Sequence, residues 1–73
     1  MFAERFKLLR EQAGLTQTAF ARAFGVAQST VAGWESGSRE PNIATVRRLA
    51  EYFGVTADYL LGGEAPALDE RLE

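Results

Sequence analysis

The stretch GVAQSTVAGWESG, residues 25–37, carries polar groups whose types suit recognition better than catalysis. Gln28 offers both a hydrogen-bond donor and an acceptor, and the hydroxyl of Ser29 can act as either. Val31 and Trp34 have the spacing of a buried helical stripe. The side chains around the rest of this helix are small: Ser29, Thr30, Ala32 and Gly33. The sequence therefore predicts a helix that packs against the protein on one face. The other face would be open to close approach by a large binding partner.

A catalytic or metal-binding set is not expected in this chain. The sequence contains no cysteine and no histidine, which removes thiol chemistry, most zinc sites and the commonest general base near neutral pH. Ser29, Ser36 and Ser38 consequently have no obvious activator, and we expect caps or solvated hydroxyls rather than nucleophiles. We predict no enzymatic activity, no metal, no cofactor and no small-molecule ligand.

The length and charge of the chain restrict the kind of partner. Its 73 residues suffice for one domain, and a hydrophobic fraction of 47% is that of a folded globule. The formal net charge is −2, but residues 62–73 hold four acidic residues against one arginine, so the first 61 residues carry a net charge of +1. Because the first 61 residues are almost neutral, any recognition of a charged partner must depend on local contacts.

The sequence shows neither a membrane-spanning run nor a secretory leader. A run of about 18 apolar residues would be needed to span a bilayer. A basic stretch followed by an apolar one would mark a signal peptide. We therefore expect a cytoplasmic protein.

Helical spacing and capping signals predict five short helices and no strands. The first runs from Phe2 to a stop at Gly14, and the second begins after an N-cap at Thr16 and stops at Gly25. The third lies in the stretch GVAQSTVAGWESG, residues 25–37. The fourth begins after an N-cap at Asn42 and ends at Gly54, and the fifth follows a cap at Thr56. The expected core consists of Phe6, Leu9, Phe20, Val31, Trp34, Val46, Leu49 and Phe53.

These elements predict an all-α protein, a compact five-helix bundle, with a domain at residues 1–61 and a flexible acidic tail or the start of a linker at 62–73. The second and third helices are joined by only Gly25-Val26-Ala27. Two short helices joined in this way are the signature of a helix-turn-helix, in which the second helix enters the major groove of DNA.

The segment LTQTAFARAFGVAQSTVAGWESGSREPNIATVRRLAEYFGVTADYLL resembles the DNA-binding domain of the Cro and phage-repressor (xenobiotic-response-element) type of helix-turn-helix regulators. The similarity covers about residues 6 to 61, and its elements LTQ, FGV, STVAGWESG, REPN and YFGVTADYLL occur in the family's order. The resemblance implies a lambda-repressor-like fold in a prokaryotic or phage context. It also implies a transcriptional regulator, and we expect a repressor, that binds double-stranded DNA.

The resemblance also implies roles for matched positions. Positions expected to meet base edges are Gln28, Ser29 and Gly33, with methyl contacts from Ala27 or Ala32 to thymine. Positions expected to contact phosphate are Gln17, Ser38, Arg39 and the backbone near Asn42. Arg10 and Glu35 match a pair that bridges the first and third helices in some relatives, and we expect a structural role for them.

The sequence departs from the family pattern at two positions of the third helix. Ala27 replaces the usual serine or threonine cap, and Gly33 stands where relatives often have a long polar side chain that contacts a base.

Among Tyr59, Leu60 and Leu61, at least one side chain should be exposed, which suggests a homodimer on a pseudo-palindromic operator. The alternative function is an antitoxin-like protein-interaction module on the same fold.

Overall fold

The computed structural model describes residues 2–63 and confirms the predicted order of five helices. They are α1 (Phe2–Gln12), α2 (Gln17–Phe24), α3 (Gln28–Ser36), α4 (Ile43–Phe53) and α5 (Ala57–Leu60). Within this range the backbone forms no strand, and no helix is long and apolar enough to cross a membrane. Most of the predicted acidic tail, residues 64–73, lies outside the described residues.

Three helices begin with a side-chain cap, as predicted. The side chains of Thr16, Asn42 and Thr56 each accept a hydrogen bond from a backbone N–H three residues further on, at 2.8–3.0 Å. Each bond satisfies one of the free donors that every helix start leaves. α3 starts at Ala27 without such a cap. Its position therefore depends on tertiary contacts more than that of α2, α4 and α5.

Trp34 joins α3 to the aromatic part of the core. Its ring lies edge-on to that of Phe6 on α1, with centroids 5.5 Å apart, and Phe6 meets Phe20 on α2 at 5.2 Å. Such aromatic pairs add to the free energy gained from burial alone. The side chains buried in this core are Phe6, Phe20, Ala21, Phe24, Val31, Trp34, Val46, Leu49, Ala50, Val55 and Leu60. Two residues of the expected core, Leu9 and Phe53, are only partly buried and pack against it.

The turn between α2 and α3 fixes how these two helices are arranged. Gly25 has φ +91°, and its N–H donates to the carbonyl of Ala21 at 2.8 Å. Val26 donates to the same carbonyl at 3.0 Å. Because this left-handed conformation disfavours side chains, glycine suits the position, and the chain can leave α2 and enter α3 within three residues.

Arg5 of α1 closes the far end of the bundle. Its guanidinium donates to the carbonyls of Tyr59 and Gly63, at 2.7 and 2.8 Å, and lies 4.2 Å from the centroid of the Tyr59 ring. The carbonyl of Tyr59 also accepts from the N–H of Gly62 at 3.1 Å, so Arg5 reinforces the turn that ends α5. Leu60 is fully buried in the core, whereas Leu61 is 58% exposed.

Candidate nucleic-acid interface

A buried ion pair ties α1 to α3. The Nε and Nη2 atoms of Arg10 donate to the two carboxylate oxygens of Glu35, the second at 3.1 Å, and Nη1 donates to the carbonyl of Leu15 at 2.6 Å. Only 9% of the Arg10 side chain and 6% of the Glu35 side chain are exposed. Since both charges are buried and hydrogen-bonded to each other, each is stabilised by the other in place of water. The predicted contact between the first and third helices is thus present.

The pKa values of Arg10 and Glu35 both shift in the direction that favours the charged form. The hydrogen bond with Glu35 raises the pKa of Arg10 above its ordinary value and outweighs burial, which acts in the opposite direction. Burial alone would raise the pKa of Glu35. Hydrogen bonds from Arg10 and Gln17, with the positive charges of Arg10 and Lys7, outweigh burial, so the pKa of Glu35 is lowered. Both groups are therefore charged at neutral pH.

A line of hydrogen bonds extends from this pair to the protein surface. The Nε2 atom of Gln17, at the start of α2, donates to Oε1 of Glu35 at 3.0 Å. The Nε2 atom of Gln28, at the start of α3, donates to Oε1 of Gln17 at 2.8 Å. We call Arg10, Glu35, Gln17 and Gln28 the polar network. It connects a buried charge on α1 with an exposed amide on the third helix.

Sequence reasoning did not anticipate the two glutamine bonds, although one signal was available. Gln28 and Glu35 are seven residues apart, which places them two turns apart on one edge of a helix. A residue that bonds to both must lie beside that edge, and Gln17 occupies this place because the short turn sets α2 against α3. The spacing alone does not identify that third residue.

The network leaves Gln28 able to bind a ligand. Its Oε1 and one amide hydrogen remain free after the bond to Gln17. Gln28 and Ser29 are exposed, as is Ala27, whereas Ala32 is partly buried. Because Gln28 is already held by Gln17, less side-chain entropy is lost when it binds than for a free glutamine.

The structure differs from the sequence expectation at Gly33. We expected this glycine to leave the outer face of α3 low and open, but it is buried. The reason is Arg39: a Cβ atom at residue 33 would lie 2.8 Å from its Cδ and 2.9 Å from its Cγ. The close approach that Gly33 permits is thus made by the stem of Arg39, and any ligand at this position would meet Arg39 first.

The residues expected to contact phosphate are divided between two places. Ser38 and Arg39 lie in the loop that folds back on the end of α3, where Arg39 N–H donates to the carbonyl of Gly33 at 3.1 Å and the hydroxyls of Ser36 and Ser38 are 3.0 Å apart. Asn42 starts α4, and its side-chain oxygen accepts from Thr45. Ser38, Arg39 and Asn42 are exposed, and Gln17 is partly buried. Residues 2–63 contain no cluster of carboxylates that could hold a metal ion.

These features define a class of protein. A short α2, a glycine turn and an α3 with polar residues at its exposed start form a helix-turn-helix DNA-binding domain. A helix-turn-helix family profile matches residues 6–60, most of the chain. The chain belongs to this family, in its Cro and phage-repressor type.

Named relatives and a solved structure agree with this assignment. The chain is 32% identical over 73 residues to the cryptic phage CTXphi transcriptional repressor RstR of Vibrio cholerae, and 36% identical over 63 residues to the transcriptional activator BcrR of Enterococcus faecalis. Those matches cover 100% and 86% of the chain, but only 66% and 31% of the relatives. The crystal structure of a transcriptional regulator from Listeria innocua matches with a TM-score of 0.79 at 33% identity, over 94% of this chain and 64% of that one.

Proposed function

We propose that this chain is the sequence-specific DNA-binding domain of a transcriptional repressor that acts in a bacterial or phage cytoplasm. One observation carries the proposal: Gln28 is exposed at the start of α3 and held there by its bond to Gln17. In a helix-turn-helix, the start of the second helix meets base edges in the major groove. A glutamine there can donate to adenine N7 and accept from adenine N6.

The other contacts follow from the same placement. Ser29 is exposed one residue after Gln28 and would bond to a base edge, while the methyl groups of Ala27 and Ala32 would meet thymine. Gln17 has one amide hydrogen left for a phosphate oxygen, and it stands at a helix start, where free N–H groups favour anions. Ser38 and the backbone near Asn42 would position the DNA backbone at the other end of α3.

Repression is the simpler of the two regulatory outcomes for such a domain. A protein that occupies an operator can exclude other proteins from it by DNA binding alone, whereas activation also needs a productive surface for a second protein. The match to the relative named a repressor covers 100% of this chain and 66% of that relative, and the match to the one named an activator covers 86% of this chain and 31% of that relative. These points support repression as the proposed outcome.

We propose that two copies bind a pseudo-palindromic operator. Leu61 is 58% exposed directly after α5, and the Arg5 contacts on both sides of it hold this part of the backbone. An exposed leucine on a fixed turn suits a two-fold contact, in which the same surface is used by both partners. The DNA would help to assemble the dimer, since each half-site places one copy beside the other.

The test is selection from a pool of randomised DNA duplexes, followed by fluorescence anisotropy on the enriched sequence and on a scrambled duplex. The expected result is a motif with two related half-sites and an affinity that falls as salt rises, because phosphate contacts release counterions. Sedimentation should find two copies on the selected duplex. Failure to enrich any motif would overturn the proposal. If a second protein co-purified in stoichiometric amount with such an inactive chain, the antitoxin-like alternative would take its place.

A further inference from the structure

We propose that Arg39 reads a guanine in the major groove, from the surface of α3, in place of the side chain that Gly33 lacks. The proposal rests on the proposed function, since it assigns a base contact to a domain that binds DNA through α3. It replaces the phosphate contact expected for Arg39 from the sequence with a base contact.

The first observation is where the stem of Arg39 lies. Ser29 and Gly33 are four residues apart and so share one face of α3, the face on which we place the base contacts. A Cβ atom at residue 33 would lie 2.8, 2.9 and 3.2 Å from the Cδ, Cγ and Cβ atoms of Arg39. The arginine stem thus occupies the space in which a side chain of residue 33 would begin, and its guanidinium extends from there.

The second observation is how firmly the loop holds this position. The N–H groups of Gly37 and Arg39 both donate to the carbonyl of Gly33, each at 3.1 Å. The loop backbone is therefore fastened to the last turn of α3 at the residue over which the Arg39 stem lies. The origin of the Arg39 side chain is consequently set relative to the recognition helix, as a reading side chain requires.

The third observation is that the guanidinium of Arg39 has no other partner. Among residues 2–63, Arg5, Arg10 and Arg48 each bond to carbonyl or carboxylate oxygens. In the same range, Arg22, Arg39 and Arg47 are exposed and make no side-chain hydrogen bond or ion pair, and of these three Arg39 is the one whose stem lies over Gly33 of α3. Its planar fork of donors fits the two acceptors of guanine, O6 and N7. A phosphate contact needs only a cation on a flexible stem and would not need the glycine at residue 33, which weakens α3 relative to alanine.

The experiment compares the motifs selected from a randomised duplex pool by four proteins: wild type, Arg39→Ala, Gly33→Ala and Arg47→Ala. The wild type should select a guanine at one position of each half-site. Arg39→Ala should lose that preference, which in wild type should amount to roughly a 5- to 150-fold affinity difference between guanine and the other bases. Gly33→Ala should lose it too, because its methyl group displaces the arginine stem.

Arg47→Ala is the matched control, since it removes an exposed arginine from α4 and should leave the motif unchanged. A second measurement needs no change in the protein: 7-deazaguanine at the selected position, which lacks the N7 acceptor, should weaken binding of wild type but not of Arg39→Ala. The proposal is wrong if Arg39→Ala weakens all duplexes equally, lowers the salt dependence and keeps the motif, which is the result for a phosphate contact. It is also wrong if Arg39→Ala changes nothing. If wild type enriches no motif, the proposed function fails instead.

Discussion

The two edges of α3 are built in opposite ways. One edge carries Gln28 and Glu35, which the polar network joins through Gln17 to the buried Arg10. The other edge carries Gly33, which has no side chain and is covered by the stem of the exposed Arg39. The first edge uses hydrogen bonds that extend into the protein interior. The second uses the stem of Arg39, which packs on the helix from outside while the loop backbone is bonded to the carbonyl of Gly33.

The difference shows two ways to position a side chain for recognition. In the polar network, the groups that hold Gln28 also hold α1 and α3 together, so recognition and folding share residues. At Gly33, the side chain comes from a loop, and its loss removes little buried contact. Changes at the first edge should therefore alter stability, and changes at the second should alter DNA binding with little effect on stability.

The largest effect should come from breaking the buried pair. Arg10→Ala leaves Glu35 charged, buried and without its main partner, and we expect a loss of about 3–5 kcal/mol in the free energy of unfolding. Urea denaturation followed by circular dichroism measures this loss.

A double-mutant cycle completes that test. The cycle compares Arg10→Met, Glu35→Leu and the two combined. Each single variant should lose stability, and the combined variant should regain much of it, since no unpaired charge remains. A coupling energy near zero between the two positions would show that the pair does not hold the helices together.

The next effect concerns the exposed end of the network. Gln28→Ala should cost about 1–3 kcal/mol of binding free energy on the selected operator and relax the preference at one base pair, while the salt dependence stays the same. Because Gln28 is exposed, the unfolding free energy should change far less than in Arg10→Ala. Fluorescence anisotropy on operator and scrambled duplexes gives the measurement. Equal losses on both duplexes would exclude a reading role for Gln28.

Lowering the pH should change the stability less than Arg10→Ala does. The pKa of Glu35 is lowered in the folded protein, so at mildly acidic pH the unfolded chain binds more protons than the folded one. The stability that Glu35 contributes is present above its unfolded pKa of about 4.3 and is lost as the pH falls through the lower folded value.

Urea denaturation between neutral and acidic pH should show this as a stability that rises with pH through the acid range. Glu35→Gln should have a shallower slope there than wild type. Glu51→Gln, which removes an exposed carboxylate from α4, is the matched control. An unchanged slope in Glu35→Gln would mean that Glu35 does not titrate as its contacts indicate.

The smallest change in stability is expected at the other edge. Gly33→Ala gains up to about 1 kcal/mol of helix propensity. This gain offsets the cost of rotating Cγ and Cδ of Arg39 away from the new methyl group and of shifting its Cβ atom, 3.2 Å from that group, by a few tenths of an ångström. The free energy of unfolding should therefore stay within about 1 kcal/mol of wild type. A loss of several kcal/mol would show that the Arg39 stem is part of the packing of α3, and the contrast between the two edges would disappear.

The sequence by itself determined the local features of this protein. Caps at Thr16, Asn42 and Thr56, and a glycine at the turn before α3, depend on residues close together in the chain, and short-range rules predict them well. The apolar spacing of Val31 and Trp34 likewise predicted which side of α3 is buried. The helix-turn-helix assignment followed from these local features because the motif is itself local.

The tertiary structure decided what happens between helices. Gln17 meets Glu35 across eighteen positions of the chain, and Arg5 meets Tyr59 across fifty-four, so no periodicity reveals either contact. The same holds for Gly33: its sequence context predicted an open surface, but the loop after α3 folds back and brings Arg39 over it. Side-chain partners across helices depend on how the core sets the helices against one another, and that arrangement is a property of the whole packed domain.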